Sequence, residues 1–142
     1  MQEGTEISSG HLRGTAPDAA SAFERGDVYA AECPTRQLLD RIADKWTTLL
    51  LTTLDAQPMR FNALKRRIGG VSQKMLCQTL RQIERDGLAT RHVEPTVPVS
   101  VTYEITPLGR TLVTALRPMI DWAETRMSDV ETARRRYDAR PG

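Results

Sequence analysis

Beyond residue 33, apolar residues recur at three- and four-residue steps, with polar ones between them. That spacing is the mark of helices with one buried face. Leu38, Leu39 and Ile42 give a short first helix, opened by Pro34, whose missing N–H is not needed in a first turn. Asp44 is placed to cap a second helix carrying Trp46, Leu49, Leu50 and Leu54, which Gln57-Pro58 ends. Met59–Arg60 fits a very short strand, and Phe61, Leu64 and Ile68 define a third helix. Gly69-Gly70 break it. Ser72 then caps a fourth helix whose inward face is Met75, Leu76, Leu80 and Ile83, and Gly87 ends it.

The period then changes. Ala89–Glu94 reads as a strand, and Val99, Val101, Tyr103 and Ile105 alternate with Ser100, Thr102, Glu104 and Thr106. A period of two predicts a second, half-buried strand, with Pro95 and Pro98 in the connection of a β-hairpin. Thr106-Pro107 opens a long last helix with a stripe of Leu108, Leu112, Leu116, Met119, Ile120, Ala123 and Met127, in which Pro118 is expected to cause a kink. The fold class is mainly α with a small β-hairpin, in the order of a winged helix-turn-helix. Residues 1–28 lack periodicity and read as a mobile arm. Residues 29–127 form the domain, and 128–142 are a helical extension or a frayed tail.

Composition narrows the function classes. A chain of 142 residues suits one domain, and with 5% aromatics its core rests on aliphatic side chains. No apolar run approaches the ~20 residues of a membrane span. The first nine residues carry Glu3 and Glu6 and no apolar core, so a cytoplasmic location without membrane contact is expected. Cys33 and Cys77 make neither a CxxC nor a metal-finger spacing, and His11 and His92 are isolated. No cofactor, metal or catalytic set is expected, which argues against a thiol oxidoreductase, against a metal sensor and against enzymes generally.

Charge adds a direction. The net charge is only +2, yet the window from Arg60 to His92 holds eight bases and two acids, a local +6. A basic island on a helix-turn-helix is the footprint of a polyanion, here double-stranded DNA. The outward set of the fourth helix is Gln73, Lys74, Cys77, Gln78 and Arg81. Gln73, Lys74 and Gln78 are assigned to base edges or nearby phosphates, since Gln pairs with adenine and Lys with guanine. Arg81 is assigned to phosphate, and Ser72 to the helix start where free N–H groups suit one. Arg60, Lys65, Arg66 and Arg91 complete the candidate DNA-binding set. Arg67 lies beside them, and at least one of the three bases at 65–67 is expected to face solvent only. The wing tip, Glu94–Val99, holds no base, so the wing would contribute shape rather than charge. A winged helix used only for protein contacts is the alternative reading, because fold does not fix function.

Taken together, several motifs resemble the HxlR family of bacterial winged-helix regulators. They are Cys33-Pro34, Asp44-Lys45-Trp46, Arg60-Phe61-Asn62-Ala63-Leu64 and Gly70-Val71-Ser72-Gln73-Lys74-Met75-Leu76, followed by the runs Leu80–Leu88 and Val97–Thr106, then Gly109 with Leu112, and Trp122. Asp44 replaces a usual Gly, and Cys77 a frequent Thr. The resemblance implies a transcriptional regulator, expected to act as a repressor, that forms a homodimer through its N- and C-terminal helices. It implies binding to an inverted-repeat operator and release by a small-molecule or oxidant inducer. In several similar proteins the cysteine equivalent to Cys33 senses oxidants, quinones or aldehydes. Cys33 precedes Pro34 at a helix start, a position that favours thiolate. A structural cap is the other reading of that residue.

Overall fold

The computed structural model describes residues 25–142, so most of the expected N-terminal arm, with His11, lies outside the described residues. These residues fall into two compact units, one ending at Leu39 and one spanning Asp40–Gly142. The elements run α1 (Pro34–Ile42), α2 (Lys45–Ala56), β1 (Met59–Arg60), α3 (Phe61–Arg67), α4 (Gln73–Arg85), β2 (Ala89–Glu94), β3 (Ser100–Ile105) and α5 (Pro107–Asp138).

Three helix starts carry a side-chain cap. Asp44 accepts hydrogen bonds from the N–H groups of Trp46 and Thr47, Ser72 from that of Met75, and Thr106 from that of Gly109. These acceptors satisfy donors that have no partner inside the helix. In α2, rich in threonine, the hydroxyls of Thr52 and Thr53 donate back to the carbonyls of Thr48 and Leu49 at 2.8 and 2.7 Å. Back-bonding of this kind lets polar side chains occupy half-buried positions.

The sheet has three antiparallel strands in the order β1-β3-β2. Its hairpin pairs Ala89 with Ile105 through to Glu94 with Ser100, and β1 adds Met59 opposite Tyr103 and Arg60 opposite Thr102. The two-residue strand therefore docks the start of α3 onto the wing. The core is aliphatic: Leu50, Leu51 and Leu54 of α2, Leu64 of α3, Leu76, Leu80 and Ile83 of α4, with Leu88, Ile105 and Val113. Trp46, Phe61 and Tyr103 pack against its margin.

A tight junction joins α4, β2 and α5. Gly87 has φ +77°, a left-handed conformation that ends α4 without a Cβ penalty. Thr106 donates its hydroxyl to the Gly87 carbonyl at 2.7 Å and its N–H to the Leu88 carbonyl at 3.0 Å. Gly109 then passes so close to that Leu88 carbonyl that a Cβ would overlap it.

The buried faces of three helices differ from those expected. The buried face of α5 is Gly109, Val113 and Leu116, while Leu108, Met119 and Met127 are exposed. Of the stripe read from the sequence, Leu116 is buried and Leu112 packs against the core, while Gly109 and Val113, outside that stripe, complete the buried face. On α1, Leu38 and Leu39 are also exposed. Thr79 joins the inward face of α4, its hydroxyl satisfied by the Met75 carbonyl at 2.8 Å. α5 continues through Pro118 as one helix and reaches Asp138. No helix among the described residues is long and apolar enough to cross a membrane.

Candidate nucleic-acid interface

Gly70, at φ +84°, turns the chain between α3 and α4, and Ser72 caps the helix that follows. With Leu76, Thr79, Leu80 and Ile83 buried, the opposite side of α4 is fixed by the helical step of about 100° per residue. Lys74, Gln78, Arg81 and Arg85 stand on that opposite side in one ridge, and all four are exposed. Gln73, Cys77 and Glu84 lie on one shoulder of it, and Met75 and Gln82 on the other. Arg85 was missed as a contact candidate although its position, four residues after Arg81, carried the signal.

The outward side is not free of acids. Gln78, Arg81 and Gln82 line a groove of about 470 Å3 together with Asp40, Arg41 and Asp44. Asp44 is committed to capping α2. Arg41 is committed to Asp86, the residue that closes α4, through two hydrogen bonds of 2.9 and 3.1 Å. The Asp86 carboxylate raises the Arg41 pKa above its already high ordinary value, through those hydrogen bonds and its charge.

The remaining candidates do not form one patch. Arg60 and Arg66 are brought together in a second groove, between α3 and the wing. Opposed residues of an antiparallel pair share a face. Arg60, opposite Thr102, therefore lies on the sheet face that also carries His92, whereas Arg91, opposite Tyr103, lies on the other. His92 is paired with Glu104 at 3.2 Å and contacts the Thr90 hydroxyl at 2.9 Å. Lys65 and Arg67 are exposed on α3, and Arg67 lines a third groove, between α2 and α5.

Cys33 stands directly before α1, its carbonyl accepting from the N–H groups of Arg36 and Gln37. The Arg36 N–H lowers the pKa of its thiol, and the Thr35 hydroxyl and the Thr35 and Asp27 backbones add to this against an opposing desolvation. Cys77, half-buried, is free as well. No group of three or more metal-ligating side chains occurs among the described residues.

This geometry, a capped helix with a cationic ridge beside a three-stranded wing, agrees with known sequences. The profile of the HxlR-like helix-turn-helix family matches residues 41–131. The chain belongs to that family. YtfH, an HTH-type transcriptional regulator of Escherichia coli, is 38% identical over 112 residues, covering 79% of this chain and 89% of that protein. The structure of a ytfH transcriptional regulator from Salmonella typhimurium superposes with a TM-score of 0.75 at 37% identity, over 78% of this chain and 99% of the other. HypR in its reduced form, described as a redox regulator, gives a TM-score of 0.64 at 34% identity, over 70% of this chain and 98% of the other. This HxlR-like chain is thus a transcriptional regulator with a helix-turn-helix domain, of a type that binds DNA.

Proposed function

We propose that this HxlR-like regulator is a homodimeric repressor that reads an inverted-repeat operator and is released by an oxidant or electrophile acting at Cys33. The observation that carries the DNA reading is the exposed ridge Lys74, Gln78, Arg81 and Arg85 behind the Ser72 cap. Gln73, Lys74 and Gln78 meet base edges in the major groove, and Arg81 and Arg85 meet phosphates. Ser72 presents the helix start to a phosphate. Arg60, Lys65, Arg66 and Arg91 supply backbone contacts around it.

Dimerisation is supported by apolar side chains that a single chain leaves in solvent. Leu38, Leu39, Leu108, Met119, Trp122 and Met127 are each at least 38% exposed. Covering such residues is a general reason for association. Two copies would set their α4 helices about 34 Å apart on one side of the duplex. The lowered Cys33 pKa and the likeness to HypR support the inducer reading.

The test is a footprint of the full chain on the DNA flanking its own gene, with and without diamide. A symmetric pair of protected half-sites, lost on diamide treatment in the wild type and retained in Cys33→Ser, is the expected result. Absence of protection at any salt concentration would leave the protein-interaction reading in its place. Release that persists in Cys33→Ser would remove Cys33 as the sensor.

A further inference from the structure

One carboxylate beside the α4 ridge has no task in the fold. The groove of about 470 Å3 between the end of α1, the start of α2 and the flank of α4 holds four charged side chains, Asp40, Arg41, Asp44 and Arg81. Two of them are occupied. Arg41 is held by both oxygens of Asp86. The Asp44 carboxylate accepts from the N–H groups of Trp46 and Thr47, where the positive end of α2 offsets its charge. Asp40 and Arg81 remain. Both are exposed, and neither has an ion-pair partner among the described residues.

Arg81 belongs to the ridge, and Gln78 of the same ridge also lines the groove. The groove therefore opens at the edge of the surface assigned to DNA. Glu84, the other acid of α4, is on the opposite shoulder and does not line it. Asp40 has little freedom to withdraw, because the next residue of α1 is anchored to the end of α4. A fixed negative charge at such an edge repels any phosphate that comes near it.

That repulsion need not act equally on all DNA. On an operator, base contacts by Gln73, Lys74 and Gln78 select one register of α4. On other sequences nothing selects a register, and phosphate attraction holds the protein in many. We propose that Asp40 is a specificity-determining residue: its carboxylate repels phosphates that reach the groove when α4 sits out of register, while in the operator register Arg81 meets its phosphate on the side away from the groove. The proposal rests on the DNA-binding reading above. To the attractive contacts of that reading it adds a repulsive one, the element by which an interface rejects wrong partners.

The experiment uses the full-length protein and two labelled duplexes of equal length and base composition, one carrying the footprinted half-sites and one with their sequence shuffled. Asp40→Asn should raise affinity for the shuffled duplex about fivefold, the scale of one exposed charge–charge contact, and for the operator by no more than about twofold. The gain should shrink as salt is added, since it is Coulombic. Asp40→Glu keeps the charge and should keep the wild-type ratio of the two affinities. Asp121→Asn removes the same charge from α5 and should alter neither affinity. Equal gains on both duplexes in Asp40→Asn, or a matching gain in Asp121→Asn, would overturn the proposal by reducing the effect to net charge. A loss of operator affinity in Asp40→Asn would overturn it by making Asp40 a direct contact. Both results leave the α4 reading standing. A wild-type protein that binds neither duplex would instead overturn the DNA reading, and the role of Asp40 with it.

Discussion

Arg41 and Asp86 hold the end of α1 to the end of α4 through two parallel hydrogen bonds of 2.9 and 3.1 Å. The guanidinium fork matches the carboxylate, so both oxygens are satisfied at once. Asp86 is also the C-cap residue, its N–H donating to the Gln82 carbonyl. The pair thus fixes the far end of the helix whose near end is fixed by Ser72. Arg41→Met and Asp86→Asn should each lower the thermal midpoint by a few degrees. The double variant should lose less than the two losses combined, because one partner no longer leaves the other unpaired. Additive losses would show that the bonds contribute nothing as a pair.

Gly109→Ala should destabilise the protein by about 1–3 kcal/mol in urea unfolding, as overpacking does in a filled core. The added methyl would fall on the Leu88 carbonyl and the Ile105 side chain. The carbonyl cannot retreat, since it accepts the Thr106 N–H. A neutral result would mean that α5 rides away from the sheet without cost.

Leu64 is fully buried and Trp122 is 61% exposed, so the same truncation should act on different equilibria. Leu64→Ala should cost about 2–5 kcal/mol of folding stability through the cavity it leaves. Trp122→Ala should leave the unfolding slope alone and shift sedimentation toward the monomer, with a loss of about 2 kcal/mol if it is an anchor of the interface. An unchanged association constant would take Trp122 out of the interface.

On α4, Lys74→Ala should reduce affinity by about 1–3 kcal/mol and relax the preference at one base pair. Arg85→Ala should weaken binding to all sequences evenly and reduce the salt slope by about 1. Equal behaviour of the two variants in a competition assay with mismatched operators would contradict the division of roles along the ridge.

Thiol reactivity should separate the cysteines. The Arg36 N–H favours the Cys33 thiolate, so its folded pKa lies below its unfolded one. The stabilisation is present once pH exceeds the unfolded value and is lost as pH falls through the folded one. Cys33 should therefore be alkylated by iodoacetamide at lower pH than the same residue in urea, with the rate falling as the solution is acidified. Coincident pH profiles in native and denatured protein would refute this.

Much of the fold was legible because local signals agreed with one another. Asp44, Ser72 and Thr106 each stood at a helix start, and Gly87 at an end. The period change at Val99 marked the hairpin. Which apolar face a helix buries was less legible. Periodicity in α5 placed Leu116 on the buried face but grouped it with Leu108, Met119 and Met127, which are exposed, and passed over Gly109 and Val113, which are buried. At the interface, the sequence located the α4 face but not its surroundings. Asp40 and Asp44 approach Gln78 and Arg81 from thirty or more positions earlier in the chain. The separation of Arg60 from Arg91 depends on strand register, which no local pattern encodes.

The Thr106 knot has a mechanical consequence. One residue holds the carbonyls of Gly87 and Leu88, and Gly109 presses on the second of them, so the exit of α4, the root of the hairpin and the entry of α5 share a single pivot. None of the three can swing without dragging the others. Any rearrangement of this domain must then carry the three as a solid block.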